Sequence, residues 1–359
     1  MKSTRPDDLD GRRLRTRARR DGGAHDDADR VRAVPDMLVG DVDERTQVDG
    51  NGPESDGSFS GLLPRRIGRY TILKLLGEGG MGVVFAAYDV DLDRKVAIKL
   101  LRQGTRSSVS GPTEPSRLLR EAQAMAKISH PNVLQVYEAG THEGQVFLAI
   151  EYVEGTTLRA WWQAARRSWR EILGTMIKAG EGLSAAHAAG LVHRDFKPEN
   201  TMVGKDGRVR VMDFGLARPT DGLLEALRTS LPEEHGLPGA LETPMTRTGA
   251  LVGTPAYMAL EQFAGNADAR SDQFSFCVTL YEGLYGERPF VAESLEKLRR
   301  ALLSGEVRPE PRPAMVPTWL RAVVIRGLAR EPEQRWPSMD ALLAALADDP
   351  ARRRGRWAG

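Results

Sequence analysis

Cysteine is almost absent from this chain of 359 residues, in which Cys277 is the only one. A single cysteine excludes a disulfide bond within the chain and fits a reducing compartment. Because Cys277 lies in the apolar stretch FSFCVTLYEGLYG, we interpret it as a buried thiol. No apolar run approaches the roughly 18 residues needed to cross a bilayer, and the charged N-terminus lacks the apolar core of a secretory signal. These absences favour a soluble, cytoplasmic protein with no membrane span.

A strong charge of either sign is also lacking. Lysine and arginine together number 51 and aspartate and glutamate 49, so the formal net charge is +2. Such a balance does not by itself indicate any partner. The hydrophobic fraction of 41% is ordinary for a soluble enzyme, and the length suffices for one large domain or two smaller ones with tails.

Residues 1–66 have the composition of a disordered tail. A block of arginines between Arg12 and Arg20 precedes a stretch rich in Asp and Gly, and few apolar residues recur with any period. Such a segment cannot bury enough apolar surface to offset the entropy of ordering. The arginine block could contact nucleic acid, anionic lipid or a protein, or it could be a solvated tail that folds back on its acidic neighbour. The second interpretation is favoured, and nucleic acid is not expected as a partner.

The pattern changes from Ile67 onward. Residues 69–101 predict three strands, because β-branched and aromatic residues alternate between Gly clusters and an Asp-rich turn. The spacing of apolar residues predicts a helix over 116–127, and two further strands follow over 133–140 and 145–153. Beyond residue 155 the pattern is mainly helical.

These elements predict an α+β fold with two lobes. The predicted parts are a small β-rich lobe over 67–154, a larger helical lobe over 155–347 and a short basic tail over 348–359. A strand-rich part before a helical part is the outline expected of such a fold.

Four short motifs follow one another along these lobes. They are LGEGGMGVVF at 76–85, VAIK at 96–99, HRDFKPEN at 193–200 and DFG at 213–215. Any one of them could arise by chance. Together they place a phosphate cradle, a lysine, a catalytic carboxylate and two metal ligands in the order that phosphoryl transfer from ATP requires.

The glycine motif alone is a weak signal. Gly77, Gly79 and Gly82 form G-x-G-x-x-G, which lets the backbone approach phosphates and offer them its N–H groups. Dinucleotide-binding folds carry the same fingerprint, but there it opens a helix, whereas here Val84 and its neighbours continue as a strand. A plain glycine hairpin is the remaining alternative, and the other motifs argue against it.

Lys99 ends an apolar strand, between Ile98 and Leu100. A charge in such a place needs a partner. Glu121, on the helix that follows, is the partner we expect, with the α- and β-phosphates of ATP as the functional target of the lysine. The plainer alternative is that the two residues form an ordinary surface pair.

HRDFKPEN and DFG carry the predicted reaction. Asp195 would orient the attacking hydroxyl and accept its proton, and Lys197 would offset the charge that develops on the γ-phosphate. Asn200 and Asp213 would supply oxygen ligands to Mg²⁺. The alternative for each residue is a plain polar group in a loop.

These motifs resemble those of the eukaryotic-like (Hanks-type) serine/threonine protein kinases of bacteria. The resemblance covers about residues 68–347, and the forms GEGGMG and AAYDVDLDRKVAIK look bacterial. It implies the two-lobed protein-kinase fold, ATP bound between the lobes with Mg²⁺ or Mn²⁺, and protein substrates. The nucleotide contacts that it implies, besides the glycines and Lys99, are Leu76, Val84, Ala97, Glu151, Val153 and Met202, with Ile150 as gatekeeper and Tyr152 in the hinge.

The resemblance also assigns supporting roles. His193 and Phe214 would stack in an apolar column that links the lobes, and Asp272 would anchor the catalytic loop. Lys197 and Thr254 favour Ser/Thr over Tyr substrates, because this threonine usually hydrogen-bonds the catalytic base and the lysine.

Two departures from the family pattern stand out. The family's A-P-E is Ala259-Leu260-Glu261 here, so the rigidity of that corner is in doubt, although Glu261 is still expected to pair with Arg335. The activation segment also carries extra residues, roughly 219–244. Long loops of this kind are functional or disordered, so a flexible insert is favoured over a docking helix formed by GLLEALRTS.

Charge also suggests how the protein is regulated. Arg194 precedes the catalytic aspartate, and in the family such an arginine receives a phosphate on the activation loop. Thr246 and Thr248 are the candidate acceptors, so autophosphorylation is expected, with self-association as one route to it.

Three rival functions predict different sequence features. A scaffold without catalysis predicts the loss of a residue such as Lys99 or Asp195, and none of the four key residues is lost. A small-molecule kinase, such as an antibiotic phosphotransferase, lacks the HRDxKPEN form and the GTPAYM segment found here. A nucleic-acid-binding regulator acting through the Arg12 to Arg20 block could coexist with kinase activity, and deletion of residues 1–66 would separate the two.

Overall fold

The N-terminal part of the protein is an antiparallel sheet with the strand order β1-β2-β3-β4-β6-β5. The computed structural model describes residues 64–79, 82–102, 114–214, 254–290, 292, 294–309 and 316–350. The strands are β1 (Arg66–Ile67), β2 (Tyr70–Gly79), β3 (Gly82–Asp89), β4 (Arg94–Leu101), β5 (Val136–His142) and β6 (Gln145–Glu151). Helix α1 (Glu114–Ala126) packs against β5 and β6.

Strand β4 is central in this sheet and buried from Val96 to its end. Because successive side chains of a strand point to opposite faces, Val96, Ile98 and Leu100 enter one apolar cluster with Phe85 and Phe147. The opposite face, which carries Ala97 and Lys99, turns toward the main core instead. Because of this alternation, Lys99 is buried on the face of the sheet that contacts the main core.

The C-terminal part is mainly helical. Its helices are α2 (Leu158–Ala164), α3 (Trp169–Ala188), α4 (Ala269–Tyr285), α5 (Leu295–Ser304), α6 (Thr318–Gly327) and α7 (Met339–Ala347). A three-stranded sheet, β7 (Gly155–Thr157), β8 (Thr201–Gly204) and β9 (Val209–Val211), lies against α3. Helix α4 is the core of this part, since every residue from Ser271 to Tyr281 is buried.

Local sequence explains where the two longest of these helices begin, and where α4 ends. Ser168 accepts a hydrogen bond from the Glu171 N–H while the Glu171 carboxylate accepts one from the Ser168 N–H, which is a reciprocal cap at the start of α3. Asp268 caps α4 in the same way, and Gly286 ends it in the left-handed conformation with φ of 75°.

Two close backbone approaches fix how these elements meet. A side chain at Gly182 of α3 would overlap the carbonyl oxygen of Asn132, which in turn accepts a hydrogen bond from the Val211 N–H at 2.9 Å. The segment that precedes β5 is thereby bonded to β9, which leads directly into the DFG motif.

The structure confirms the predicted α+β fold with a β-rich lobe followed by a helical lobe. The predicted strands over 69–101 correspond to β2, β3 and β4, and the helix predicted over 116–127 corresponds to α1. The predicted tail boundaries remain predictions, because residues 1–63 and 351–359 lie outside the described part. Among the helices described, we find none with the length and apolarity to span a membrane.

Candidate active site

The hairpin between β2 and β3 carries the glycine motif. Gly79 and Gly82 face each other across the hairpin, and Gly82 has a φ of 144°, where a side chain would overlap the carbonyl oxygen of Leu100. At Gly77 and Gly79, by contrast, an added side chain would meet no atom of the described residues within 4 Å. These two glycines therefore leave their backbone uncovered by the described part of the chain, which suits a phosphate ligand.

Lys99 forms its ion pair with Asp213, at 2.6 Å between Nζ and Oδ1. The lysine side chain is 6% exposed and the aspartate 20%. Among the described residues, the ion pair that the structure shows for Lys99 is the one with Asp213, and the pairing with Glu121 expected from the sequence remains a prediction. Asp213 reaches the lysine because its backbone is left-handed, with φ of 66°. Glu121 lies half-buried on α1, and its catalytic role remains a prediction.

The loop 193–200 gathers three of the predicted catalytic side chains. Lys197 Nζ donates to Asp195 Oδ2 at 2.8 Å, and Asn200 Nδ2 donates to the same oxygen at 3.1 Å. Asn200 Nδ2 also donates to the Asp195 carbonyl oxygen at 2.8 Å. Because both amide hydrogens of Asn200 are used in this way, its amide oxygen is the atom left to bind a cation.

Helix α4 holds this loop through one carboxylate. Asp272, which is 1% exposed, accepts the N–H of His193 at 2.7 Å and that of Arg194 at 2.8 Å. His187 of α3 bonds to the same carboxylate at 2.8 Å. Arg194 is itself left-handed, with φ of 67°, so the carboxylate stabilises a backbone turn that would otherwise be strained. The predicted anchoring role of Asp272 is thus supported by direct contacts.

His193 connects the loop to the DFG segment. Its Nε2–H donates to the carbonyl oxygen of Met212 at 2.9 Å, and its Nδ1 accepts the N–H of Asp195 at 3.3 Å. The ring also contacts Phe214, with centroids 4.7 Å apart, as the predicted apolar column requires. The histidine therefore links Asp195, the predicted base, to Met212, the residue directly before Asp213.

The predicted adenine pocket lies where β6 ends. Ala97 and the predicted gatekeeper Ile150 are 6% and 9% exposed, and they share the main core with the half-buried Val84 and Val153. Met202 of β8 is half-buried, and Leu76 of β2 is 44% exposed. Apolar side chains gathered in this way suit a flat heterocycle.

The Ala259-Leu260-Glu261 corner keeps its ion pair without the proline. Glu261 accepts hydrogen bonds from the guanidinium of Arg335 at 2.6 and 3.0 Å, which confirms the predicted pair. Burial alone would raise the pKa of Glu261, but the hydrogen bonds and charge of Arg335 outweigh it and hold that pKa below its usual value. Gln262 then ties the corner to the catalytic loop by donating to the Arg194 carbonyl oxygen at 2.9 Å.

Sequence reasoning missed a charged cluster beside the catalytic loop. Arg159 of α2 bonds to Glu199 and to Glu282, each at 2.9 Å, and also contacts the hydroxyl of Tyr257. The Tyr257 hydroxyl donates to Glu282 at 2.6 Å. Burial and the neighbouring Glu282 carboxylate raise the pKa of Tyr257 well above its usual range. No local pattern signals this cluster, since its members come from four separate segments.

A second missed residue is Arg210, whose guanidinium lies 2.8 Å from the carboxylate of Glu151, in the predicted hinge. A signal for it did exist, because Arg210 stands between two valines of a short strand, just as Lys99 stands between two apolar residues.

Several predicted features lie outside the described residues. They are Gly215 of the DFG motif, the insert over 219–244, Thr246 and Thr248. The backbone of Thr254 opens a short 3-10 turn, Thr254–Tyr257.

The model of the protein kinase domain matches residues 70–345, a stretch that includes both lobes and all four motifs. The chain therefore belongs to the protein kinase family.

Within that family, bacterial serine/threonine kinases are among the proteins similar to this chain. A probable serine/threonine-protein kinase of Streptomyces coelicolor is 36% identical over 292 residues, which are 78% of this chain and 40% of that protein. The serine/threonine-protein kinase pkn3 of Myxococcus xanthus is 35% identical over 300 residues, which are 80% of this chain and 51% of that protein. The chain thus spans about half or less of the length of these relatives.

A solved structure shows the same fold. The kinase domain of Mycobacterium tuberculosis PknI superimposes with a TM-score of 0.57 over 79% of this chain and 97% of that domain. At 24% identity this likeness bears on the fold alone.

Proposed function

We propose that this chain is a protein serine/threonine kinase that transfers the γ-phosphate of ATP to Ser and Thr hydroxyls of proteins. The observation that carries the proposal is the cluster of Asp195, Lys197 and Asn200, joined at 2.8 and 3.1 Å on a loop held by Asp272. Family membership and the bacterial serine/threonine kinases among its relatives support the same assignment.

The acceptor hydroxyl would be oriented by Asp195. Its Oδ2 is held by Lys197 and Asn200, so the carboxylate is fixed before a substrate arrives. As the hydroxyl oxygen forms its bond to the γ-phosphorus, the bond from that phosphorus to the bridging oxygen breaks and ADP leaves. Asp195 takes the hydroxyl proton, and Lys197 offsets charge on the transferred group.

The donor set of the site fits ATP with a divalent cation. The backbone at Gly77 and Gly79 suits the phosphates, while Lys99 would bind the α- and β-phosphates once its contact with Asp213 opens. The amide oxygen of Asn200 and the carboxylate of Asp213 are the hard oxygen ligands that Mg²⁺ prefers, and Mn²⁺ is an alternative. When bound, the cation would neutralise charge on the phosphates.

Regulation by phosphorylation extends the proposal. Thr246 or Thr248 would be modified by the chain itself, through self-association or within one molecule, and the phosphate would pair with Arg194. The backbone of Arg194 is held on both sides, since Asp272 accepts the hydrogen bond of the Arg194 N–H and Gln262 donates one to the Arg194 carbonyl oxygen. An arginine with its backbone held in this way is suited to pairing with a phosphorylated loop.

A cytoplasmic location is proposed on two grounds. ATP would be the phosphoryl donor, and a single cysteine, which excludes a disulfide bond within the chain, fits a reducing compartment.

The experiment that tests the activity uses γ-labelled ATP and a generic basic protein as acceptor. Transfer should require Mg²⁺ or Mn²⁺ and stop with EDTA, and acid hydrolysis of the product should yield phosphoserine or phosphothreonine. Label on tyrosine, or transfer to an aminoglycoside in place of protein, would contradict the proposal.

A further inference from the structure

Arg210 is a buried cation that contacts Glu151, the first residue of the predicted hinge 151–154. It lies on β9 opposite Met202 of β8, and only 3% of the side chain is exposed. One guanidinium nitrogen, Nη2, lies 2.8 Å from Glu151 Oε1 and 2.9 Å from Asp206 Oδ2. The other, Nη1, donates to Asp206 Oδ1 at 3.3 Å. The arginine therefore bridges the turn of its own hairpin and the first residue of the hinge.

Asp206 keeps the guanidinium in place. It stands in the turn between β8 and β9, where Gly207 adopts a φ of 74° and the Arg208 N–H donates to Asp206 at 3.0 Å. Hydrogen bonds from Arg210, then from Arg208, hold the pKa of Asp206 well below its usual range. A planar guanidinium gripped by two oxygens of one carboxylate has little freedom to turn.

The same hairpin also holds the other end of the hinge. The N–H of Lys205 donates to the carbonyl oxygen of Glu154 at 2.7 Å, and Gly155 pairs with Gly204 where β7 meets β8.

At one end of the connection 151–154, Glu151 is held by the ion pair, by its N–H, which donates to the carbonyl oxygen of Gln135 at 2.9 Å, and by its strand pairing with Val96. At the other end, Glu154 is held by a backbone hydrogen bond. Of these ties, only the ion pair depends on a side chain, so it is the one that a substitution can remove.

We propose that Arg210 is a positioning residue for nucleotide binding, which fixes the hinge backbone at Glu151 for the adenine. This inference rests on the ATP binding proposed above. The competing explanation is that the buried ion pair serves folding alone. The two differ in what they predict: a positioning role changes the affinity for ATP, whereas a folding role changes only stability and the fraction of active protein.

The test measures the dissociation constant of MgATP by calorimetry, which does not depend on turnover. Arg210→Met and Glu151→Gln should each weaken binding about tenfold. If Arg210 acts through Glu151, the double variant should be no weaker than the single ones. Arg210→Lys keeps the positive charge but loses the forked geometry of the guanidinium. Its affinity for MgATP should therefore lie between those of Arg210→Met and wild type. In steady-state assays the KM for ATP should rise, with kcat and the KM for a protein acceptor within about twofold of wild type.

Arg308→Gln is the matched control, because it breaks an exposed arginine–glutamate pair of the same 2.8 Å length, to Glu287, in the helical lobe. Its affinity for MgATP should equal that of wild type. Should Arg210→Met fail to fold, Glu151→Gln and Arg210→Lys carry the same test.

Unchanged affinity in the folded Arg210 and Glu151 variants, with a lowered melting temperature, would overturn the positioning role and leave a structural ion pair. A wild-type protein that binds no MgATP would instead contradict the proposed function itself, and the inference would fall with it.

Discussion

The ammonium group of Lys99 lies 2.6 Å from the carboxylate of Asp213, so a strand of the N-terminal sheet is bonded to the segment that follows β9. Both side chains are shielded from water, which strengthens their attraction and makes the loss of either partner costly. The pair also brings together two residues with different predicted ligands. Lys99 is expected to bind the phosphates of ATP, and Asp213 is expected to bind the cation.

Replacing Lys99 by methionine should abolish most activity. The substitution removes the cation that faces the phosphates and leaves Asp213 without this ion pair, so kcat/KM should fall by about 100-fold or more. Lys95→Met is the control, since Lys95 lies on the same strand but is exposed. Steady-state phosphate transfer measures both variants. Equal losses in the two would show that strand β4, rather than the ion pair, is what matters.

Asp272→Asn should lower kcat more than it changes the KM for ATP. The amide has one acceptor oxygen in place of two, so at least one buried N–H of the catalytic loop, at His193 or Arg194, loses a charged partner at a cost of about 1–3 kcal/mol. The loop should then shift relative to the substrate hydroxyl. Asp340→Asn, which changes an exposed aspartate bonded to Ser184, is the control. A normal kcat for Asp272→Asn would contradict the anchoring role.

The Glu261–Arg335 pair should stabilise the fold in a pH-dependent way. The pKa of Glu261 is lowered in the folded state from its ordinary value of 4.5, so its stabilising contribution is complete above that value and is lost as pH falls through the folded pKa. Melting temperatures of wild type and Glu261→Gln should therefore differ most near pH 7 and converge only as the pH falls below 4.5 and through the folded pKa. A difference that is the same at all pH values would contradict this account.

Arg335→Met should be more severe at neutral pH, costing about 3–5 kcal/mol, because it leaves the Glu261 carboxylate buried without its cation. The guanidinium also donates to the carbonyl oxygens of Ala329, Arg270 and Arg330, so these bonds are lost as well. Urea unfolding measures the change. A loss below about 1 kcal/mol would indicate that the corner is held by other contacts.

Alanine at both Thr246 and Thr248 should lower activity and remove the main sites of self-phosphorylation. A phosphate there adds about −1.5 to −2 charge, which can pair with Arg194 and order the loop. Mass spectrometry maps the sites, and phosphate transfer measures the effect. Unchanged activity in the double variant would exclude activation through these threonines.

Much of the fold could be predicted from the sequence because its signals are local. Strand alternation identified β2 to β4, and apolar spacing identified α1. The glycine motif and the HRDFKPEN loop also have short spacings, so their residues could be named in advance. The Glu261–Arg335 pair is not local, and it was predicted only through the family resemblance.

The partners of single charges were harder to predict. Lys99 needed an anion, but the left-handed turn that brings Asp213 to it is not visible in the sequence. Arg159 and Arg210 meet carboxylates 40 or more residues away along the chain. A buried charge shows that a partner exists, while only the assembled fold shows which one.

The most direct test of the central claim compares wild type with Asp195→Asn, measuring MgATP binding and transfer of labelled γ-phosphate in the same preparations. The proposed mechanism predicts that both proteins bind MgATP, while transfer to Ser or Thr falls by a factor of about 10² to 10⁴ in the variant. Wild-type protein that binds MgATP yet transfers no phosphate, or a variant as active as wild type, would contradict the assignment of Asp195 as the catalytic base of a protein kinase.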